Sequence, residues 1–324
     1  MMPLDNGLLR QAVERFRAAQ RILVVCHIRP DGDAIGSLLG LGLALRSAGK
    51  QVEMVCEDGV PSDCRHLQGS SDVRRQSQGE FDLICVVDAS DLARTGLVLQ
   101  GRGQVGINID HHPTNENFAN LNLVDVRAVA TAEIIADLLA DWGLEITPPI
   151  AAALLTGLVT DTIGFRTSNV NPSTLRLAAS LMERGADLPV LYRRTLVDRS
   201  FEAVRLWGAG LSRVERNGRL LWTTLTLDDR RAAQYPGRDD ADLINVLNAV
   251  EGADISIIFI EQPNGRVKVS WRAQPGFDVS TIAASLGGGG HAAAAGAEIQ
   301  GSLPEVQAAI LGLTRPLLNG GQRV

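Results

Sequence analysis

Cysteine is scarce in this sequence: four in 324 residues, at positions 26, 56, 64 and 85, with no CxxC pair. No disulfide framework is expected, and Cys26 and Cys85 sit inside apolar runs where a small buried thiol is common, so a reducing, cytoplasmic setting fits. Aromatic residues make up only 4% of the chain, too few for the stacking platforms that hold long single strands. Excess positive charge is missing as well: 31 Lys and Arg stand against 37 Asp and Glu, a formal net charge of −6. No overall basic field exists to grip long nucleic acid by counterion release. The longest apolar stretch, Ala34 to Leu45, is too short and too often interrupted by glycine to span a bilayer, and Met1 to Gly7 carries no basic segment followed by an apolar one. Neither secretion nor a membrane partner is expected.

What remains is 45% hydrophobic and 21% charged, the balance of a globular enzyme long enough for two cores. Three apolar runs, Ile22 to His27, Asp82 to Asp88 and Val105 to Asp110, read as fully buried strands of a parallel sheet. Helix-like patterns follow, Ala34 to Ala48 closed by Gly49 and Thr131 to Trp142 closed by Gly143, each glycine a plausible C-cap. Alternating strand and helix predicts an α/β fold. Its ligand crevice would lie beyond the carboxyl ends of the strands, where the polar residues closing these runs project. After Ala186 the pattern changes. Asp187 to Arg205 looks like a helical connector, and strand-like runs return at Arg219 to Leu227, Ile255 to Ile260 and Val267 to Arg272. The expected organisation is a domain over 1–186, a helical linker over 187–209 and a smaller α/β domain over 210–324. The GGGGHAAAAG block at 287–296 reads as a built turn rather than a low-complexity tail.

Four clusters in the first part carry candidate chemistry. His27-Ile-Arg-Pro-Asp31-Gly-Asp33 puts an imidazole and two carboxylates on a strand-to-helix turn. Nitrogen and oxygen donors in a small volume suit a divalent cation such as Mn²⁺ or Mg²⁺, whereas zinc more often takes cysteine too. The same two acids suit capping of the following helix. Asp88 closes the most apolar run, as a ligand or as an ordinary turn residue. Asp110-His111-His112 follows a buried run directly, where an ordinary turn has little reason to place that triplet. Adjacent side chains on an extended chain point to opposite sides, so the two imidazoles are expected to do different jobs, one on metal and one on substrate. Asp161 leaves the apolar run Ile150 to Val159 and is followed by Arg166; a helix-end turn explains it as readily as a ligand does. Together His27, Asp31, Asp33, Asp88, His111 and Asp161 supply donors for two metal ions sharing a carboxylate, an arrangement suited to phosphoester hydrolysis.

In the last part, Arg272 ends a strand-like run and Gly287 to Gly290 precede His291. Consecutive glycines let backbone N–H groups approach an anion, and Arg272 and His291 can both donate to a phosphate. A flexible loop and a surface charge are the plain alternatives.

Set in order, these motifs resemble the DHH phosphoesterase superfamily, specifically the DHH plus DHHA1 branch that contains nano-RNases and PAP phosphatases of the bacterial cytosol. The resemblance covers nearly the whole chain: HxxxDxD at His27 to Asp33, the strand-end Asp88, DHH at 110–112, Asp161 in TDTIGFR, and the glycine-histidine block at 287–296. The chain departs at Ile163 within TDTIGFR, and at Ala294 and Ala295 within a run of four alanines; neither removes a candidate ligand. By resemblance, His27, Asp31 and Asp88 would hold one Mn²⁺, and Asp33, Asp88, His111 and Asp161 the other, with Mg²⁺ or Co²⁺ as substitutes. His112 would act at the scissile phosphate or leaving group, and Asp110 would orient an imidazole. Arg166, Arg272, Gly288, Gly289, Gly290 and His291 would bind substrate, in a cleft between the domains.

The activity so implied is hydrolysis of very short RNA to 5′-mononucleotides, with removal of the 3′-phosphate of 3′-phosphoadenosine 5′-phosphate (PAP) as a second reaction. The partners expected are short RNA or nucleotides, with no long nucleic acid, and an apolar helix face leaves a homodimer open. A phosphodiesterase for linear or cyclic dinucleotides would use the same metals. A non-catalytic nucleotide-binding module would be expected to lack a ligand, and all six are present. A pyrophosphatase of the superfamily would lack the glycine-histidine block, and a long-strand exonuclease finds no support in the charge or the aromatics.

Overall fold

The computed structural model describes residues 6–320. The chain divides between Asp198 and Arg199 into two compact units, inside the stretch expected to join them. Among the described residues no helix is long and apolar enough to cross a membrane.

The first unit is built on a wholly parallel sheet of β1 (Arg21–Val25), β2 (Gln51–Val55), β3 (Leu83–Val87), β4 (Ile107–Asp110) and β5 (Leu121–Val124), in the order β2-β1-β3-β4-β5. Every residue of β3 and β4 is buried, as continuous apolar strands covered on both faces must be. Strands β2 and β5 extend the sheet beyond the three expected. The first mixes Gln51 and Glu53 into its sequence and the second is four residues long, so neither presents a continuous apolar run. The helices are α1 (Asn6–Ala18), α2 (Gly32–Ser47), α3 (Thr131–Trp142), α4 (Pro148–Asp161), α5 (Pro172–Glu183) and α6 (Leu188–Tyr192). They gather over one sheet face, where Ile22, Val24, Cys85, Val87, Ile107 and Ile109 join them in the large core. The other face, with Leu23, Val25, Ile84 and Val86, is covered by strand and loop residues such as Val98, Leu99 and Val105.

Helix α2 starts two residues before the expected Ala34 because Asp31 caps it, its Oδ1 accepting from Asp33 N and Ala34 N at 3.0 Å each. It ends at Gly49 in a Schellman turn, Gly49 N donating to Arg46 O and Lys50 N to Leu45 O. Gly143 closes α3 in the same way. The connector after Asp187 is helical, in separate pieces. After α6, Arg193–Val197 forms a wider π turn and Asp198 is extended, so the helix cannot run on.

The second unit contains α7 (Phe201–Leu211), β6 (Glu215–Asn217), β7 (Leu220–Leu225), α8 (Leu227–Ala233), α9 (Leu243–Asn248), β8 (Ile255–Glu261), β9 (Arg266–Ala273), α10 (Ser280–Ser285), β10 (Gly289–His291), β11 (Ala294–Gln300) and α11 (Leu303–Gly320). The sheet order is β10-β11-β9-β8-β7-β6, antiparallel except for β7 beside β8. Val267, Val269 and Trp271 of β9 enter the core with α10 and α11. Lys268, Ser270 and Arg272 alternate with them and project from the opposite face. The glycine-histidine block is the β10–β11 hairpin. A Cβ on Gly288 or Gly290 would overlap the carbonyls of Gly296 or Ala294, whereas one on Gly289 meets nothing within 4 Å. Two of these glycines are thus demanded by the close approach of β11.

Candidate metal centre

In the first unit, the carboxyl ends of β1, β3 and β4 carry His27, Asp88 and Asp110-His111-His112. Two helix ends complete the cluster: the start of α2, with Asp31 and Asp33, and the last residue of α4, Asp161. These helices meet backbone to backbone. A Cβ on Gly36 would overlap Ala153 O and lie 2.9 Å from Gly157 N, and one on Gly157 would overlap Asp33 Oδ1. Helices with larger residues at these crossings could not bring Asp33 to this depth.

All six donors expected from the sequence converge. His27, Asp31 and Asp88 form one group whose ligand atoms all lie within 4.8 Å of one another; Asp33, His111 and Asp161 form a second, and Asp88, His111 and His112 a third. Asp88 links them: Oδ2 lies 3.5 Å from His27 Nε2, and Oδ1 lies 3.8 Å from His111 Nε2. His27 Nε2 is 3.9 Å from Asp31 Oδ2, and His111 Nε2 is 3.1 Å from Asp161 Oδ2. The far nitrogens of both imidazoles face carbonyls, His27 Nδ1 to Ile28 O at 2.8 Å and His111 Nδ1 to Ala128 O at 3.3 Å. A carbonyl only accepts, so each Nδ1 carries a hydrogen and each Nε2 is the nitrogen turned to the cluster, able to offer a lone pair there once its own proton is displaced.

His111 and His112 do not point to opposite sides, contrary to the alternation of an extended chain. Their rings meet edge to face with centroids 4.7 Å apart, and His112 Nδ1 is also 3.8 Å from Asp88 Oδ1. The reason is that β4 ends at Asp110 and the chain turns there. His112 Nδ1 instead donates to Asp110 Oδ1 at 2.7 Å. Arg166 is exposed, its Nε donating to Ile163 O at 3.0 Å. Arg272, Gly288, Gly289, Gly290 and His291 belong to the second unit. There Arg272 is half-buried, with NH1 donating to Trp271 O, and Asp240 and Asp242 oppose the effect of burial on its charge.

Among the described residues eight non-glycine residues adopt left-handed backbone, and four of them, Arg29, Asp88, Ile163 and Phe165, fall inside these motifs. Such conformations persist only where surrounding structure over-determines them, and they concentrate at functional sites.

The electrostatics show a charge imbalance. Burial by itself would lower the His27 imidazole, but Asp88 and Asp31 outweigh it and push it up to about 9. His111 is likewise raised against burial by Asp161, Asp88 and Asp33. Burial raises Asp33, and Asp88 and Asp161 add to the effect; burial also raises Asp161, against the pull of His111. Asp88 stays well below the usual carboxylate range despite burial, because His27, His111 and His112 face it. Four carboxylates and two neutral imidazoles would carry a charge of −4, which two divalent cations neutralise. The oxygen and imidazole-nitrogen donors, without thiolate, fit Mn²⁺ or Mg²⁺.

Three further residues belong to the site and were not expected. Thr131 heads α3: its Oγ1 donates to Asp88 Oδ1 at 2.9 Å, and its backbone N, with that of Ala132, donates to Asp33. Asn108 sits in the middle of β4, fully buried, and Asn115 Nδ2 donates to Asn108 Oδ1 at 2.8 Å and to Asp110 Oδ2 at 2.6 Å. A polar residue interrupting an apolar strand was the one signal available, at Asn108.

Comparisons with known proteins agree with this geometry. Residues 21–158 match the DHH family, N-terminal domain, and residues 233–314 match the DHHA1 domain. The bifunctional oligoribonuclease and PAP phosphatase of Thermus thermophilus is 37% identical over 300 residues, covering 90% of this chain and 89% of that protein. The protein of the same name from Mycoplasma genitalium is 27% identical over 308 residues, covering 91% of this chain and 94% of that protein. Among solved structures, an exopolyphosphatase-related protein from Bacteroides fragilis is similar at a TM-score of 0.90 and 28% identity, over 98% of this chain and 99% of the other. With both domains matched and its acidic and histidine motifs gathered in one cluster, this chain belongs to the DHH family of phosphoesterases, in the branch that carries a DHHA1 domain.

Proposed function

We propose that the chain hydrolyses very short RNA to 5′-mononucleotides and removes the 3′-phosphate of PAP, in the cytoplasm and with two divalent cations, Mn²⁺ in preference to Mg²⁺ or Co²⁺. One observation carries the reading: six imidazole and carboxylate groups converge, Asp88 among them, and its two oxygens face different donor groups. The 37% identity to a protein named for both activities supports the substrate choice, and four buried free cysteines are compatible with a reducing compartment.

In this reading His27, Asp31 and Asp88 hold one cation, and Asp33, Asp88, His111 and Asp161 hold the other. When bound, the cations supply positive charge to the phosphoryl oxygens and acidify water. The chain's own groups do the rest. Thr131 Oγ1 and the α3 backbone hold Asp88 and Asp33 in place. His112, fixed through Nδ1 by Asp110, presents Nε2 to the scissile phosphate or leaving oxygen. Arg166, Arg272, His291 and the backbone of Gly288, Gly289 and Gly290 bind substrate phosphate and sugar, each arginine as a charge-assisted donor. A short substrate held by a few such contacts needs no long basic groove, in keeping with the chain's net charge of −6.

The test is turnover in Mn²⁺ on di- to pentanucleotide RNA, a long RNA strand, PAP, the linear dinucleotide pApA and pyrophosphate. Preference for the shortest RNAs, with PAP also cleaved, is the expected result. Cleavage of pyrophosphate alone, or faster cleavage of the long strand, overturns it.

A further inference from the structure

We propose that Asn115 is a positioning residue for the hydrolysis put forward above, on which this inference rests: it pins the Asp110 carboxylate, and through it holds the His112 ring with Nε2 toward substrate and away from Asp88. The amide orientation follows from chemistry. Asn115 Nδ2 lies 2.6 Å from Asp110 Oδ2, 2.8 Å from Asn108 Oδ1 and 3.3 Å from Ala89 O, all acceptors, while its Oδ1 accepts from Asn117 N at 2.7 Å. Exchanging the two ends would set oxygen against three oxygens.

The carboxylate so held is fully buried, and its other oxygen takes the His112 Nδ1 hydrogen at 2.7 Å. His112 has a competing acceptor. The same Nδ1 lies 3.8 Å from Asp88 Oδ1, the oxygen that also faces His111. If Asp110 were free to rotate, the imidazole could close on Asp88, occupying a metal-ligand oxygen and turning Nε2 away. Asn115 blocks this by fixing Asp110 from the far side. Its own loop is tied to the histidine by Asn115 N donating to His112 O at 3.2 Å. One side chain thereby joins the turn after β3, the buried middle of β4 and the histidine loop.

The test is a double-mutant cycle. Asn115→Leu, which keeps the shape and removes the donor, is made alone and with His112→Ala, and Asn115→Ser serves in its place if the leucine variant does not fold. Alone, it is expected to lower kcat roughly 10- to 100-fold, as loss of such supporting partners does, with KM and calorimetric Mn²⁺ affinity unchanged. With His112→Ala already present, the further loss is expected to stay below about twofold, because coupled residues are non-additive. Equal losses in both backgrounds, or a fall in Mn²⁺ affinity, overturn the proposal. A second readout needs no turnover: the hydrogen-bonded Nδ1 proton of His112, observed by NMR and assigned by its loss in His112→Ala, is expected to vanish in Asn115→Leu. Its persistence also overturns the proposal. A parent enzyme inactive on every substrate tested, but with this proton lost in Asn115→Leu, would defeat the functional reading and leave the positioning role standing.

Discussion

Gly157 and Asp33 are in such close register that a methyl group on the glycine would overlap the Asp33 Oδ1 and lie 2.7 Å from Ala132 Cβ. The glycine belongs to α4 and the acid to the first turn of α2, so the crossing of two buried helices sets the position of one candidate ligand. Gly157→Ala is expected to displace the Asp33 carboxylate, with an overpacking cost of about 1–3 kcal/mol. Mn²⁺ affinity, measured by calorimetry, should fall by more than the change in thermal midpoint alone would suggest. Unchanged affinity would mean that α2 shifts as a body.

Asp88 combines a buried carboxylate with left-handed backbone, φ 57°. Asparagine tolerates that conformation, so Asp88→Asn should fold like the parent by circular dichroism. It removes the anionic oxygens shared between the donor groups, and turnover is expected to drop at least about 100-fold, beyond the 10- to 100-fold typical of outer partners. Retained turnover would make Asp88 a structural turn residue.

Metal removal should lower stability as well as activity, because the mutual repulsion among Asp33, Asp88 and Asp161 is then unrelieved. Adding Mn²⁺ at about 100 times its dissociation constant is expected to stabilise the fold by about 2.7 kcal/mol. Differential scanning calorimetry of the chelated and Mn²⁺-loaded protein reads this as a rise in midpoint; identical midpoints would argue against cation binding.

Arg272 projects from the mixed sheet of the second unit. If it binds substrate equally in ground and transition states, Arg272→Ala raises KM on a dinucleotide RNA and leaves kcat nearly unchanged. Steady-state kinetics decide it, and an unchanged KM removes this residue from the binding surface.

Acid stability of the second unit should depend on Asp229. Burial would raise its carboxyl, but hydrogen bonds from Arg213 and Thr226 hold it below the ordinary value. A depressed folded-state pKa gives stability that is full above the unfolded value, about 3.9, and is lost as pH falls through the folded one. Urea midpoints followed by the fluorescence of Trp207, Trp222 and Trp271 should therefore drop below about pH 4 in the parent. That acid step should be smaller in Asp229→Asn, and equal steps would remove Asp229 as its source.

The three apolar runs were legible as buried strands because continuous hydrophobicity leaves a strand nowhere to be but inside, and Gly49 and Gly143 were legible as helix stops because their turns demand left-handed backbone. Strands β2 and β5 were not, one being mixed and the other too short for a pattern. The six candidate donors that the fold gathers could be named in advance, since acids and imidazoles abruptly closing apolar runs are visible one segment at a time. Thr131 was invisible, because nothing in its neighbourhood of sequence announces the buried carboxylates it serves, and Asn115, though five residues beyond Asp110, gave no sign that its amide turns back to that acid.

The sequence by itself determined which segments fold as buried strands and helices and which side chains can bind cations, because both follow from local composition and periodicity. Only the tertiary structure decided that Asp88 stands between two donor groups, that His111 and His112 share one side, and that Asn115 reaches Asp110. The first depends on the parallel sheet order, which brings residues far apart in the chain together; the other two depend on the turn that follows β4, which folds near neighbours back onto one another.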